Sequence, residues 1–491
     1  MSRYNEKIEK VLGLLVAVLL IVTASCGEAR AERVIFADEA SQKAFADVYA
    51  VDNESFKRDI VHVKDEAKAS FLKEYMALMN YTAANSKANY DAYIAASDKA
   101  FDDAEKSRYA ENLTCQLHIH KCMVYMYSGS MVSGGIQFWK SYRAFKTAET
   151  KYPGYEGQMS FRGIYNVLFS QIPEKWKTLK GLLGLPDGNL TLGFRQIEQY
   201  RQSVLGLEGV SDEALVFSFA NMFFSHDQDL TAELVKVIKG NQTAVVRYAY
   251  ILSCGQRQMG TEAERVLDET EEVTMDRFPL LYHQRAKYAL RRLDTEATLK
   301  WSHRFLGAYA GVSNKNNAYL QMGYAYLLSG DRLKAKEMAD KCIAIKSDFD
   351  IDKRSHDEAA RLMACDVRML RARLQFEYGD FEKSLETLHS FEPRAGDELE
   401  HIFRLARGEE KIGEEQKALT DYDRVIALSE NSTRYFGPYS CIYAADISLK
   451  RGDKKRAQMY VEVAKRLNNG EYKKELDQRI ELTERVIKGK K

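Results

Sequence analysis

The chain has 491 residues, with 72 Lys and Arg against 71 Asp and Glu. Loss of the first 25 residues would remove Arg3, Lys7, Lys10, Glu6 and Glu9, leaving 69 of each sign. A nucleic-acid binder needs a cationic excess or a basic stripe, and neither is visible. Only 6 prolines occur (Pro153, Pro173, Pro186, Pro279, Pro393 and Pro438), about a quarter of the number that an average ~5% would give. Proline breaks helix interiors, so its scarcity, with abundant Ala, Leu, Glu, Lys and Arg, predicts an all-α protein.

The N-terminus reads MSRYNEKIEKVLGLLVAVLLIVTASCGEARAER. Arg3, Lys7 and Lys10 precede an apolar run from Val11 to Val22. That run is shorter than the ~20 residues that span a bilayer and has the form of a signal-peptide core. Thr23-Ala24-Ser25-Cys26 resembles the lipobox of bacterial lipoproteins, with Thr23 where that family has an aliphatic residue. The resemblance implies a signal peptide at 1–25, a lipid on Cys26 and a place in the cell envelope. No acidic run follows Cys26, which favours an outer membrane facing the periplasm. Ala29-Arg30-Ala31 is an alternative cleavage site that would release a soluble protein, and an uncleaved anchor is a third reading. The six remaining cysteines are scattered and without C-x-x-C, so free buried thiols are expected.

Residues 26–55 read as a polar tether, and helices begin near Phe56. The region 56–205 holds a bulky hairpin, NLTCQLHIHKCMVYMYSGSMVSGGIQFWKSYRAFKTAETKYPG, turning at Ser128-Gly129-Ser130. Its second helix carries Gly135, Phe138, Trp139, Tyr142 and Phe145 on one side, and Tyr152-Pro153 ends it. An apolar block follows at 161–192, with a bend expected at Pro173 and a turn at Leu185-Pro186-Asp187-Gly188. Less regular hairpins occupy 206–310, in AVVRYAYILSCGQRQMGTEAERVLDE and FPLLYHQRAKYALRRLDTEATLKWSHRFL.

The clearest repeat is NNAYLQMGYAYLLSGDRLKAKEMADKCIAI, which resembles the tetratricopeptide repeat, a 34-residue antiparallel helix pair. Tyr319, Met322, Gly323 and Tyr326 match its first helix, Gly330-Asp331 its turn, and Ala335, Ala339 and Cys342 the small positions of its second helix. Degenerate copies turn at Gly379, Gly413 and Gly452, at spacings of 49, 34 and 39 residues. Residues 311–475 are therefore expected to stack as antiparallel helix hairpins in an α-solenoid or superhelix, followed by a basic tail at 476–491. In repeats of this kind first-helix residues line the inner groove. By that correspondence the lining is Leu320, Tyr324, Leu327, Arg373, Phe376, Phe403, Arg407, Ile442 and Asp446, a mixture suited to an extended or helical peptide.

Gly134-Gly135, Gly163, Pro173, Gly184, Asp187 and Gly193 resemble, in spacing, the packing motifs of the tetratricopeptide repeat protein 39 and inclusion-body clearance family. The turn here reads Gly-Leu-Pro-Asp-Gly, with the family's glycine and aspartate exchanged. The resemblance covers about residues 85–470 and implies a non-enzymatic helical scaffold. An export signal departs from that family, so its cytosolic roles do not transfer.

No P-loop, G-x-G-x-x-G, G-x-S-x-G or H-E-x-x-H occurs. Cys115, His118 and Cys122 fall within about 60° on one helix face, but a tetrahedral metal site needs further ligands, and core packing is the expected role. Ser225-His226-Asp227 reads as a helix cap before Leu230–Ile238. Trp139, Trp176 and Trp301 sit in helical, packed contexts, which disfavours sugar-stacking platforms. The sequence thus points to a non-enzymatic envelope scaffold, without metal or cofactor, that binds a protein or peptide and is held to a membrane by its lipid. Binding of a lipid or other apolar ligand by 161–192, or of a glycan, are the alternatives.

Overall fold

The computed structural model describes residues 35–153, 155–172, 180–181, 184–224, 228–347 and 349–489. The signal peptide, Cys26, Pro173, Trp176, Ser225-His226-Asp227 and the terminal Lys490-Lys491 lie outside them. Every regular element among the described residues is helical. In chain order these are α1 (Glu39–Ala50), α2 (Asn53–Asp59), α3 (Glu66–Ala83), α4 (Lys87–Ala104), α5 (Ala110–Tyr127), α6 (Met131–Lys151), α7 (Gly157–Ser170) and α8 (Leu190–Ser203). Next come α9 (Val210–Phe224), α10 (Gln228–Val237), α11 (Ala244–Arg257), α12 (Gly260–Asp268), α13 (Glu272–Arg277), α14 (Leu280–Arg291), α15 (Thr295–Ala308), α16 (Lys315–Leu328) and α17 (Arg332–Ala344). The remainder are α18 (Asp350–Arg361), α19 (Val367–Tyr378), α20 (Phe381–His389), α21 (Glu398–Lys411), α22 (Glu415–Leu428), α23 (Phe436–Lys450), α24 (Lys454–Leu467) and α25 (Lys473–Ile487).

The hairpins form for local reasons. Gly330, Gly379, Gly413 and Gly452 all adopt positive φ, between 78° and 111°, a left-handed turn that costs glycine little and ends a helix. Asp331 and Asp453 then cap the next helix, accepting the N–H of Lys334 at 3.0 Å and of Arg456 at 2.8 Å. Between paired helices the small positions close up: Ala335, Cys342, Ala418, Ala445, Ala457 and Ala464 are all fully buried. The chain is an all-α stack of antiparallel hairpins.

Two compact units divide the chain. The first takes in the described residues of 35–168, 190–290 and 294–363; the second takes in 169–189, 291–293 and 364–489. The division expected near 310 is not there. Residues 311–363 join the first unit because Asn85 Oδ1 accepts the N–H groups of Val312 and Ser313, and Tyr127 packs on Phe349, ring centroids 5.3 Å apart. The apolar block 161–192 is also divided. In the second unit Arg485 donates to the carbonyl of Ile172 at 2.9 Å, so the end of α7 and the residues just after it meet α25. That helix, with Leu476 and Ile480 in the core, replaces most of the expected basic tail.

The expected tether is corrected in its described part. Ile35, Phe36, Ala44, Phe45, Val48 and Tyr49 have no solvent exposure, and α1 packs against α3, α9 and α11. Asp38 caps α1 by accepting the N–H of Ser41 at 2.9 Å, and the spacing Ala44, Phe45, Val48, Tyr49 gives one apolar face. Phe45 meets Tyr75 at 5.5 Å between centroids, and Tyr49 shares a 2.6 Å hydrogen bond with Tyr75. Behind them His120 Nδ1 and Glu74 Oε2 form a fully buried pair at 2.7 Å. Gly209, at φ +73°, lets the chain pass α1 where a Cβ would lie 2.4 Å from the Ala46 nitrogen. Burial of Ile35, Phe36, Phe45 and Val48, at ~1.5–3 kcal/mol each, rivals the net stability of a domain.

Two glycines of the family resemblance meet in the first unit. A Cβ on Gly193 would lie 2.6 Å from the Gly163 carbonyl oxygen, and one on Gly163 would lie 2.8 Å from that of Gly193. Helices α7 and α8 therefore cross with backbones in contact. Gly193→Val is expected to cost about 1–3 kcal/mol by overpacking, and Phe45→Ala about 3–5 kcal/mol by cavity formation. Denaturant melts monitored by circular dichroism check both, and an unchanged Phe45→Ala midpoint would contradict the packed position of α1.

Candidate partner-binding site

The nine residues expected to line a groove are divided between the two units, and most of them are buried. Leu320, Tyr324 and Leu327 on α16 belong to the first unit, and the other six to the second. Leu320, Leu327 and Ile442 are buried core residues, and the buried Tyr324 hydroxyl donates to Glu358 at 2.6 Å. Phe403 is buried against Phe436, Tyr435 and Tyr443. The physical reason is side-chain size. Four aromatic residues at 435, 436, 439 and 443, at the start of α23 and along it, lean over α21 and close what smaller residues would leave open.

Arg407 is likewise structural. Its guanidinium lies 3.8 Å from the Tyr443 ring centroid and 5.6 Å from that of Phe376. It pairs with Glu410 and donates to the Tyr422 hydroxyl at 3.3 Å, while that hydroxyl donates to Glu410 at 2.6 Å. A guanidinium between two rings and a carboxylate is held by cation–π and charge-assisted contacts together. Asp446 accepts from Arg479 at 2.6 Å, away from this group. Arg373 and Phe376 remain half-buried on α19.

Around Arg373 the second unit gathers arginines that lie far apart in the chain. Glu377 takes Arg291 at 3.4 Å and Arg373 at 3.8 Å. Glu400 takes Arg404 at 2.5 Å and Arg434 at 2.9 Å. Asp366 takes Arg368 at 2.7 Å and Arg394 at 3.0 Å. Asp397 lies between the last two groups, its carboxyl pushed up by burial and by Glu400. Six guanidiniums thus meet four carboxylates. Burial opposes ionisation of Glu400, but Arg404, Arg434 and Arg373 outweigh it and hold the carboxyl at about 2. Arg368 also stacks on Phe391, and Arg434 on Phe436, at 4.3 and 4.5 Å. Guanidiniums so arranged present flat, multiply donating surfaces to a carboxylate.

The other sequence candidates find ordinary places. Cys115 is buried, its sulfur 3.5 Å from both Ser141 Oγ and the Tyr165 hydroxyl, and burial pushes its thiol and that of Cys122 up to about 12. His118 pairs with Gln137. Among the described residues no group of three His, Cys, Asp or Glu is placed to hold a metal ion, and no helix is long and apolar enough to cross a membrane. Trp301 stacks on Tyr282 and carries Arg285 over its ring. Sequence reasoning missed the Glu74–His120 pair, since helical spacing relates His120 to its own helix and not to α3.

No family model matches the chain, and no curated protein matches it. Among solved structures, the human IFIT1 dimer with m7Gppp-AAAA aligns at 12% identity over 98% of this chain and 95% of that one, with a TM-score of 0.27. Similarity at that level carries no argument about ligand or architecture.

Two buried carboxyls of α21 give opposite pH responses. Glu400, held below the ordinary carboxylate range, adds stability that is present above about 4.3 and is lost as pH falls through its folded value. Glu409 is pushed up to about 7 by burial and then by Asp421, with Lys417 opposing. Its contribution is present below about 4.3 and is lost as pH rises through that higher value. Glu400→Gln is therefore expected to lower the melting temperature at neutral pH and to flatten the acid limb. Glu409→Gln should raise it by a few degrees above pH 8 and leave it unchanged near pH 4. Thermal melts across pH check the two signs.

Proposed function

We propose that the chain is a non-enzymatic helical-repeat scaffold of the bacterial cell envelope, lipid-anchored through Cys26, that binds an acidic segment of a partner protein on its second unit. The observation that carries the peptide reading is the sharing of carboxylates among arginines around α19 and α21. Each of Glu377, Glu400 and Asp366 is clamped by two guanidiniums. Guanidiniums thus stand close together where aromatic rings are also at hand, and carboxylates of an extended or helical peptide suit such a face. The arginines that reach solvent best are Arg394, Arg368 and Arg434, at 54%, 49% and 38% side-chain exposure. They are the points of first contact, and the half-buried Arg404 and the buried Arg407 hold the scaffold.

The anchored reading rests on Thr23-Ala24-Ser25-Cys26 and the apolar run before it. From Cys26 to the buried Ile35 is about nine residues, a maximal reach of ~30 Å. A lipid there would keep the first unit within one protein diameter of the membrane. The resemblance to the tetratricopeptide repeat protein 39 family supports a scaffold rather than an enzyme.

A labelled hexaglutamate peptide titrated into the purified full chain tests the face. Arg394→Glu with Arg434→Glu is expected to weaken binding at least about tenfold, equivalent to ~1.4 kcal/mol, with the melting temperature kept within a few degrees. Undiminished binding, or equal binding of a single-stranded oligonucleotide, would sink the peptide reading. Fractionation of cells carrying Cys26→Ser checks the anchor: the protein should leave the membrane fraction for the soluble one.

A further inference from the structure

Elsewhere among the described residues the large exposed apolar side chains are spread singly along the sequence, as is normal for a protein surface. On the first two turns of α6 they cluster: Met131, Val132 and Ile136 are 59%, 79% and 50% exposed. Gly135 beside them is also exposed, and a Cβ there would meet nothing within 4 Å. The turn that precedes them, Ser128-Gly129-Ser130, is exposed and uncharged.

The same helical stripe changes character further along. At 100° per residue Val132, Ile136, Trp139 and Arg143 fall within about 60° of one another, with Lys140 on the flank. Arg143 lies over the Trp139 ring at 4.9 Å. The helix carries no carboxylate before Glu149. Lys146 is tied to Glu149, but among the described residues neither Lys140 nor Arg143 has a carboxylate partner. An apolar tip, a half-buried tryptophan and then unpaired cations is the order of chemistry met on passing outward from acyl chains to phosphates.

We propose that the first two turns of α6 form a wedge that enters the headgroup layer of an anionic lipid bilayer. Val132 and Ile136 reach the acyl boundary, Trp139 sits at the interface, and Lys140 and Arg143 meet lipid phosphates. Such elements bury their apolar face about 5–10 Å deep and gain from anionic lipid. The cations lie about 12–16 Å along the helix from Val132 at 1.5 Å per residue, so an oblique approach brings both groups to their layers. A protein partner would leave Lys140 and Arg143 to find acidic residues; a bilayer supplies phosphates along the whole stripe. The wedge requires neither a lipid on Cys26 nor the arginine face of the second unit.

The test uses the full chain with Cys26→Ser and Cys365→Ser, so that no lipid is attached and the half-exposed thiol is gone. An environment-sensitive fluorophore is placed at Val132→Cys, or at Leu333→Cys as the control, since Leu333 is 86% exposed in the same unit. On vesicles of phosphatidylcholine and phosphatidylglycerol the probe at 132 should shift to the blue and be quenched by brominated acyl chains, and the probe at 333 should not. Lys140→Glu with Arg143→Glu should weaken this response at least about tenfold. An unquenched probe at 132, equal quenching at 333, or an equal response on pure phosphatidylcholine would overturn the proposal. So would a dimer in sedimentation equilibrium that Val132→Asp dissolves, since the patch would then be covered by a second copy.

Discussion

Every hairpin in the chain has to bring two helical backbones close enough for their side chains to interlock, and that requirement governs the rest. Helices pack at 8–10 Å when the contact carries ordinary side chains, and closer only where the side chain is absent or a methyl. Gly163 against Gly193 is the extreme case, with each Cα facing the other's carbonyl. Gly323, whose added Cβ would lie 2.9 Å from Leu362 Cδ2, is a milder one. Substituents at these few positions set the spacing between successive hairpins, and the spacing decides which side chains meet across a unit.

This explains why the hairpins were legible and the site was not. Turn glycines, capping aspartates and alanines at small positions act within some 30 residues of chain, so the pattern in 311–475 could be read directly. The hairpins around Gly129 and in 244–308 follow the same logic. Arg291, Arg373, Arg404 and Arg434 share no spacing; they converge because each lies on or beside a different helix, α14, α19, α21 and α23. A charge census over the chain averages to neutrality and conceals that convergence. First-helix correspondence named Ile442 and Phe403, which are buried in the core, because it carries no information on how large the next hairpin's side chains are.

The N-terminal segment shows the opposite failure. Asp38-Glu39, Ser41-Gln42-Lys43 and Asp47 interrupt its apolar residues, so 35–51 is only weakly patterned, yet Ala44, Phe45, Val48 and Tyr49 lie on one face of α1. Its partners are Tyr75 on α3 and the loop before α9, remote in sequence and therefore silent at the level of pattern. Apolar surface on α6 was misread in the other direction. Gly135 and Trp139 belong to the helix that packs on α5, but Val132 and Ile136 on its outward stripe are exposed among the described residues.

The position of α1 also orders the events of synthesis. Its native neighbours include Gly209 at the chain crossing, and Arg277, which pairs with Asp52 just beyond the helix. More than half the polypeptide must leave the ribosome before these contacts exist, and long-range closures of this kind slow folding. Until then Phe36, Phe45 and Tyr49 are exposed on a nascent chain, where they are open to chaperones or to a translocation machinery that accepts only unfolded substrates. The residues of α1 thus settle only long after they are made.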